Sequence, residues 1–177
     1  LENYGYFRSK LKDSTRLLVL VKANAYGHGA VEFASLMEDA GADYLAVAYP
    51  VEGIELRQAG INAPIMVLTA GTDSFEQIIN YGLEPGIPNI YSLKVLCDVL
   101  RKRGMSGFPI HLKLDTGMHR LGFMTEELDE LLDFLKSSPQ INVKSVYSHL
   151  AAADDASCDQ FTLGQIELFR KNADRIS

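Results

Sequence analysis

Short apolar runs alternate with amphipathic stretches along most of the chain. Runs that read as buried parallel strands cover 17–22, 44–48, 64–69, 110–115 and 143–149. A sixth run, 83–88, is interrupted by Pro85, Gly86 and Pro88 and reads as a weaker strand. Helical periodicity fills the gaps. Residues 30–40 place Val31, Ala34 and Met37 on one face, and 92–103 repeat the pattern with Val95, Leu96, Val99 and Leu100. Over 126–137, Leu128, Leu131, Leu132 and Leu135 form a stripe, with Thr125 as the expected N-cap and Glu126 and Glu127 at the positive end of the dipole. Segments 1–11 and 160–176 read as the first and last helices, and Gly41, Gly60 and Gly104 stand where helices should stop.

Six strand–helix units joined by short loops require a parallel sheet, either doubly wound or closed as a barrel. A TIM-type (β/α)8 barrel has eight such units in about 250 residues, so on that reading this chain holds about six of the eight. No linker, charge block or low-complexity tract marks a domain boundary.

Charge and composition narrow the function classes. The 177 residues carry 17 basic and 23 acidic side chains, a formal net charge of −6, which argues against a nucleic-acid surface. The longest apolar run, 17–21, falls far short of the roughly 20 residues of a membrane helix. Cys97 and Cys158 form no CxxC pair and suggest neither a zinc site nor a disulfide framework. The chain opens Leu1-Glu2-Asn3 without a signal-type stretch, so the cytoplasm is the expected compartment. The missing start methionine reads as an excised piece of a longer protein.

Candidate chemistry gathers at the C-terminal ends of the expected strands, where parallel α/β folds build their sites. Lys22 ends the first strand and is followed by Ala23-Asn24-Ala25-Tyr26-Gly27-His28-Gly29. A lysine in a cleft can lose solvation and serve as a Schiff-base amine or proton acceptor; the plain alternative is a snorkelling lysine before a glycine-rich turn. In the fifth strand, His111, Lys113 and Asp115 share one face, which means either solvent exposure or an interior with paired charges. The following loop offers Arg120, a fixed cation suited to a phenolate, carboxylate or phosphate, or else an ordinary surface arginine. His149, at the end of the sixth strand, reads as an acid–base group, a ring-stacking residue or a structural histidine. Glu52 and Glu55 read as caps of the next helix. No GxGxxG, phosphate loop, HExxH or GxSxG occurs, and the four histidines are too scattered to suggest a metal site.

The run Val21-Lys22-Ala23-Asn24-Ala25-Tyr26-Gly27-His28-Gly29 resembles the cofactor-lysine signature of alanine racemases, which depend on pyridoxal phosphate. The resemblance continues through Leu45-Ala46-Val47-Ala48, Glu52-Gly53 and Leu56-Arg57. It extends over Lys113-Leu114-Asp115-Thr116-Gly117-Met118-His119-Arg120-Leu121-Gly122 to Ser148-His149-Leu150-Ala151. It implies a (β/α)8 barrel with pyridoxal phosphate at the strand C-termini, residues 1–177 being a partial N-terminal barrel domain without the family's C-terminal β-domain. Lys22 would carry the cofactor as a Schiff base and act as one of two bases. Tyr26 would contact its phosphate, Arg120 its phenolic oxygen, and His149 its ring. Lys113 resembles a lysine that some members carry as a carbamate. The substrate implied is alanine, the assembly a homodimer whose partner subunit supplies the second base, and the role D-alanine supply for peptidoglycan, so the isolated piece should be inactive. A racemase of another amino acid and a non-catalytic pyridoxal phosphate-binding domain are the alternatives.

Overall fold

The computed structural model describes residues 1–176. They form two compact units, Leu1–Pro85 and a second that begins at Gly86. The first contains α1 (Glu2–Lys10), β1 (Leu18–Leu20), α2 (Lys22–Gly27), α3 (Ala30–Asp39), β2 (Tyr44–Val47), α4 (Pro50–Gln58), β3 (Ile65–Val67) and α5 (Phe75–Asn80). It ends in the first half of β4 (Glu84–Ile87). The second continues from β4 through α6 (Ile90–Lys102), β5 (Phe108–Lys113), α7 (Leu128–Lys136), β6 (Ile141–Tyr147) and α8 (Asp159–Ile176). All strand pairings are parallel and follow sequence order from β1 to β6. This is the alternating α/β architecture that the periodicity predicts.

Strands without apolar/polar alternation are those covered on both faces. In the first unit Leu45, Ala46, Val47, Ile65 and Val67 are completely buried, together with Leu56, Phe75 and Ile78 from helices. In the second, Ile110, Leu112, Leu96, Leu100 and Leu131 fill the same role. The expected faces hold, with small rotations. Helix α3 buries Ala30, Ala34 and Met37 rather than Val31, and α6 buries Leu93, Leu96, Cys97 and Leu100, leaving Val95 and Val99 half-exposed. Helices α3, α4 and α6 end in one pattern, with glycine just past the last turn; Gly41 N–H bonds Glu38 O at 2.9 Å and Ala42 N–H bonds Met37 O at 2.9 Å.

Three details differ from the sequence reading. Strand β1 ends at Leu20, so Lys22 opens the next element rather than closing the strand. Strand β4 forms despite Pro85, which pairs with Val67 and costs so short a strand at most one ladder bond. Thr125 does not cap α7: a 3-10 turn over Thr125–Glu127 precedes the helix, and the Thr125 hydroxyl instead accepts from Asn172 Nδ2 at 2.9 Å.

Candidate functional site

Directly after β1 the backbone turns left-handed. Ala23, Asn24, Ala25 and Tyr26 all have φ between 49° and 53° and ψ between 36° and 50°. Each such residue costs roughly 1–2 kcal/mol relative to a right-handed turn. The turn therefore persists only because its surroundings hold it. Val21 N–H bonds Ala46 O at 2.8 Å, and Ala25 N–H bonds Val21 O at 3.0 Å. Asn24 Oδ1 accepts from Ala30 N–H at 2.8 Å, and His28 Nδ1 lies 2.9 Å from Ala25 O. The Ala25 side chain is buried. The widest reach is that of Glu52 on α4. Its Oε2 accepts from Ala48 N–H and Tyr49 N–H at 2.7 and 2.9 Å, while its Oε1 accepts from Ala23 N–H at 2.7 Å.

Lys22 is half-buried at the start of this turn, and its ammonium has no hydrogen-bond or ion-pair partner among the described residues. Tyr26 is exposed, with a phenol equally unengaged. A cavity of about 700 Å3 adjoins Tyr26, His28 and the apolar side chain of Leu20, but Lys22 does not line it, so it is not the lysine's own pocket.

In the second unit the relevant side chains follow β5 and β6. A bulge between Ile110 and His111 shifts the register of these strands, so His111 faces Ser145, with Nδ1 2.7 Å from Oγ. His111 and Asp115 are buried and Lys113 is half-buried, which decides for an interior face over an exposed one. The Lys113 ammonium lies 5.9 Å from the centre of the Tyr147 ring. Burial pushes its pKa below the ordinary lysine range; the charge of Arg120 adds to the effect and Asp115 opposes it. Burial pushes the Tyr147 phenol up. For Asp115, burial would raise the pKa, but the Gly117 and His119 amides and the charges of His119 and Lys113 outweigh it and leave the carboxyl low.

Residues 116–122 form a closed loop. Asp115 Oδ1 accepts from Gly117 N–H at 2.9 Å and from His119 N–H at 3.0 Å. Phe123 then returns beside Leu114, with Phe123 N–H bonded to Lys113 O at 2.8 Å. Gly122 makes that return possible, because a Cβ there would lie 2.5 Å from Asp115 N and 2.6 Å from Leu114 C. Arg120 projects from this loop, exposed and unpaired among the described residues.

The end of β6 is tied to the same loop. Thr116 Oγ1 lies 2.7 Å from Ser148 Oγ, and Ser148 Oγ donates to Leu114 O at 2.8 Å. Gln165 of α8, 1% exposed, completes the connection. Its Nε2 donates to His149 O at 3.1 Å and Thr116 Oγ1 at 3.3 Å, and its Oε1 accepts from Ala151 N–H at 3.0 Å. The His149 imidazole is exposed and has no partner among the described residues. Lys22 and Tyr26 thus share one turn, while Lys113 ends β5 and Arg120 and His149 lie in the loops that follow β5 and β6. Sequence reasoning missed Gln165 entirely. It recognised Glu52 as a cap of α4, which it is, and missed the bond from Ala23 N–H to its other oxygen.

The family model for the alanine racemase N-terminal domain matches residues 1–177. The chain belongs to the alanine racemase family. An alanine racemase of Synechocystis sp. is 42% identical over 173 residues, 97% of this chain and 46% of that protein. Alanine racemase 1 of Bacillus subtilis is 37% identical, covering 96% of this chain and 43% of its own length. The structure of a Clostridium difficile alanine racemase in complex with cycloserine superposes with a TM-score of 0.92 at 32% identity, covering 98% of this chain and 48% of that one. The chain spans about half the length of the curated relatives it matches. The two longest alanine racemase-like motifs, 21–29 and 113–122, coincide with backbone irregularities. Among the described residues, every non-glycine position with positive φ falls in one of them: Ala23 to Tyr26 in the first and His119 in the second.

Among the described residues no group of three His, Cys, Asp or Glu side chains could hold a metal ion, and no helix is long and apolar enough to cross a membrane.

Proposed function

We propose that the protein carrying this chain interconverts L- and D-alanine with pyridoxal phosphate, and that Lys22 carries the cofactor and acts as one of two proton-moving bases. The observation that supports this best is Lys22 itself, a half-buried amine without a partner at the head of a braced, left-handed turn. Such strain at a reactive side chain is characteristic of functional sites. Each unit supplies groups that suit the cofactor. An unengaged amine can form an imine, the Tyr26 phenol can donate to a phosphate, and the unpaired Arg120 guanidinium can bond a phenolate oxygen. The free His149 imidazole can lie against a ring.

When bound, pyridoxal phosphate supplies an electron sink that acidifies the α-carbon of the substrate amine. Lys22 takes or returns the proton on one face, for which its neutral amine must come within hydrogen-bond reach of that carbon. Arg120 would orient the cofactor through N–H donors, since a guanidinium carries donors and no acceptor. Lys113, with its pKa lowered, presents more neutral amine than an ordinary lysine. That form can add carbon dioxide through its nitrogen and lose a proton, becoming an anionic carbamate beside Arg120. We assign the base for the opposite face to a partner subunit of a homodimer, outside residues 1–177. On this reading the segment is a partial N-terminal barrel domain, inactive alone, in a cytoplasmic enzyme that supplies D-alanine for peptidoglycan.

The test is borohydride reduction of the full-length protein with pyridoxal phosphate, followed by peptide mapping. Label on Lys22 with alanine-dependent α-proton exchange is the expected result. Label on Lys113 or spread over surface lysines overturns the assignment, and label on Lys22 without exchange favours a binding domain.

A further inference from the structure

The carboxylate of Glu52 does more than capping requires. Capping α4 engages only Oε2, through the amides of Ala48 and Tyr49. The other oxygen crosses 29 positions of sequence to Ala23 N–H. That N–H belongs to the peptide plane immediately following Lys22, so the bond pins the backbone torsion that aims the Lys22 side chain. It also anchors the first of four left-handed residues.

We infer that Glu52 is a positioning residue for Lys22, acting through the left-handed turn. The inference rests on the reading of Lys22 as the cofactor lysine. A carboxylate is suited to the task because each oxygen accepts from a different segment. A glutamine has a single acceptor oxygen, and its NH2 would face an N–H donor, so it must release either Ala23 or the α4 cap. An aspartate is one methylene short of spanning both.

The experiment compares the full-length wild-type protein with Glu52→Gln and with the double variant Glu52→Gln, Ala23→Gly. Ala23 is exposed, so removing its methyl group opens no cavity, and glycine adopts positive φ freely. Two readouts are taken: exchange of the Ala23 amide without cofactor, and borohydride-fixed label on Lys22 as pyridoxal phosphate is titrated. Glu52→Gln is expected to speed Ala23 exchange at least tenfold and to raise the half-labelling concentration about tenfold. Glycine at position 23 should recover most of the labelling. A residue that only caps α4 would alter exchange over 51–55, leave Lys22 labelling unchanged and gain nothing from glycine, and that result overturns the inference. Unchanged Ala23 exchange overturns it as well. An unlabelled wild type would instead overturn the cofactor reading, while amide exchange still decides whether Glu52 holds the turn.

Discussion

Burial lowers the pKa of Lys113 and the charge of Arg120 lowers it further. A base whose folded pKa lies below its unfolded value near 10.4 holds its proton less tightly when folded. Its charge therefore opposes folding below the folded pKa, and stability rises as pH climbs from there toward the unfolded value. Amine-directed acylation followed by mass spectrometry should show Lys113 reaching half-maximal reactivity at a lower pH than the exposed Lys136. Arg120→Gln should move that midpoint back up; coincident midpoints for the two lysines would remove the effect. Gln165 makes a different demand, since its amide satisfies Ala151 N–H, His149 O and Thr116 Oγ1 from a buried position. Replacing it with leucine leaves buried Thr116 and the part-buried Ala151 N–H and His149 O without this partner, a loss of up to about 1–3 kcal/mol each. We expect Gln165→Leu to lose about 2–4 kcal/mol in denaturant unfolding, with Ala151 amide protection lost first. Neither effect was visible in the sequence. Lys22, Arg120 and His149 stood out by their place at strand ends, and Tyr26 by a motif that resembles a family, whereas Gln165 looks like any amide on a polar helix until the fold brings three backbone and side-chain groups to it.

Helix ends and parallel strand pairing were legible because local chemistry dictates them, through glycine past a last turn and apolar runs at βα spacing; the sequential strand order, which the periodicity left open, followed only from the family resemblance. Helix α2 was not legible. Two alanines, an asparagine and a tyrosine do not favour a left-handed turn, and the carboxylate that braces it comes from position 52. Intrinsic preference and tertiary contact thus oppose each other at α2, which predicts an asymmetric response to substitution. Ala23→Gly should be neutral or stabilising by up to about 1 kcal/mol, since relief of the left-handed cost is partly offset by greater freedom of the unfolded chain. Ala25→Val places a branched side chain at φ 49° in a buried position and should cost at least about 2 kcal/mol. Thermal or chemical unfolding of the two variants checks the pair. Equal effects would show that α2 is not strained. The loop over 116–122 is governed by close approach instead. Gly122→Ala drives a Cβ into backbone at 2.5 Å and should cost about 3 kcal/mol or more, because backbone cannot swing aside as a flexible side chain can.

Strand β1 pairs only with β2, and β6 only with β5, among the described residues. Each therefore presents one row of unpaired backbone groups, the feature that invites strand addition. The apolar character of these edges reinforces the tendency: Leu18 and Leu20 of β1 are 38% and 39% exposed, and Val143 and Val146 of β6 are half-exposed. A net charge of −6 opposes association, but at physiological salt its repulsion is screened beyond about 8 Å, whereas strand pairing acts at hydrogen-bond distance. Short-range attraction should then win for residues 1–177 prepared alone. Sedimentation velocity is expected to show concentration-dependent assemblies, growing with added salt, while the full-length protein gives one discrete species. The salt dependence carries the argument: an isolated segment that stayed monomeric at high salt would mean its edges are blunted by its own residues, and that the rest of the protein is not needed to cover them.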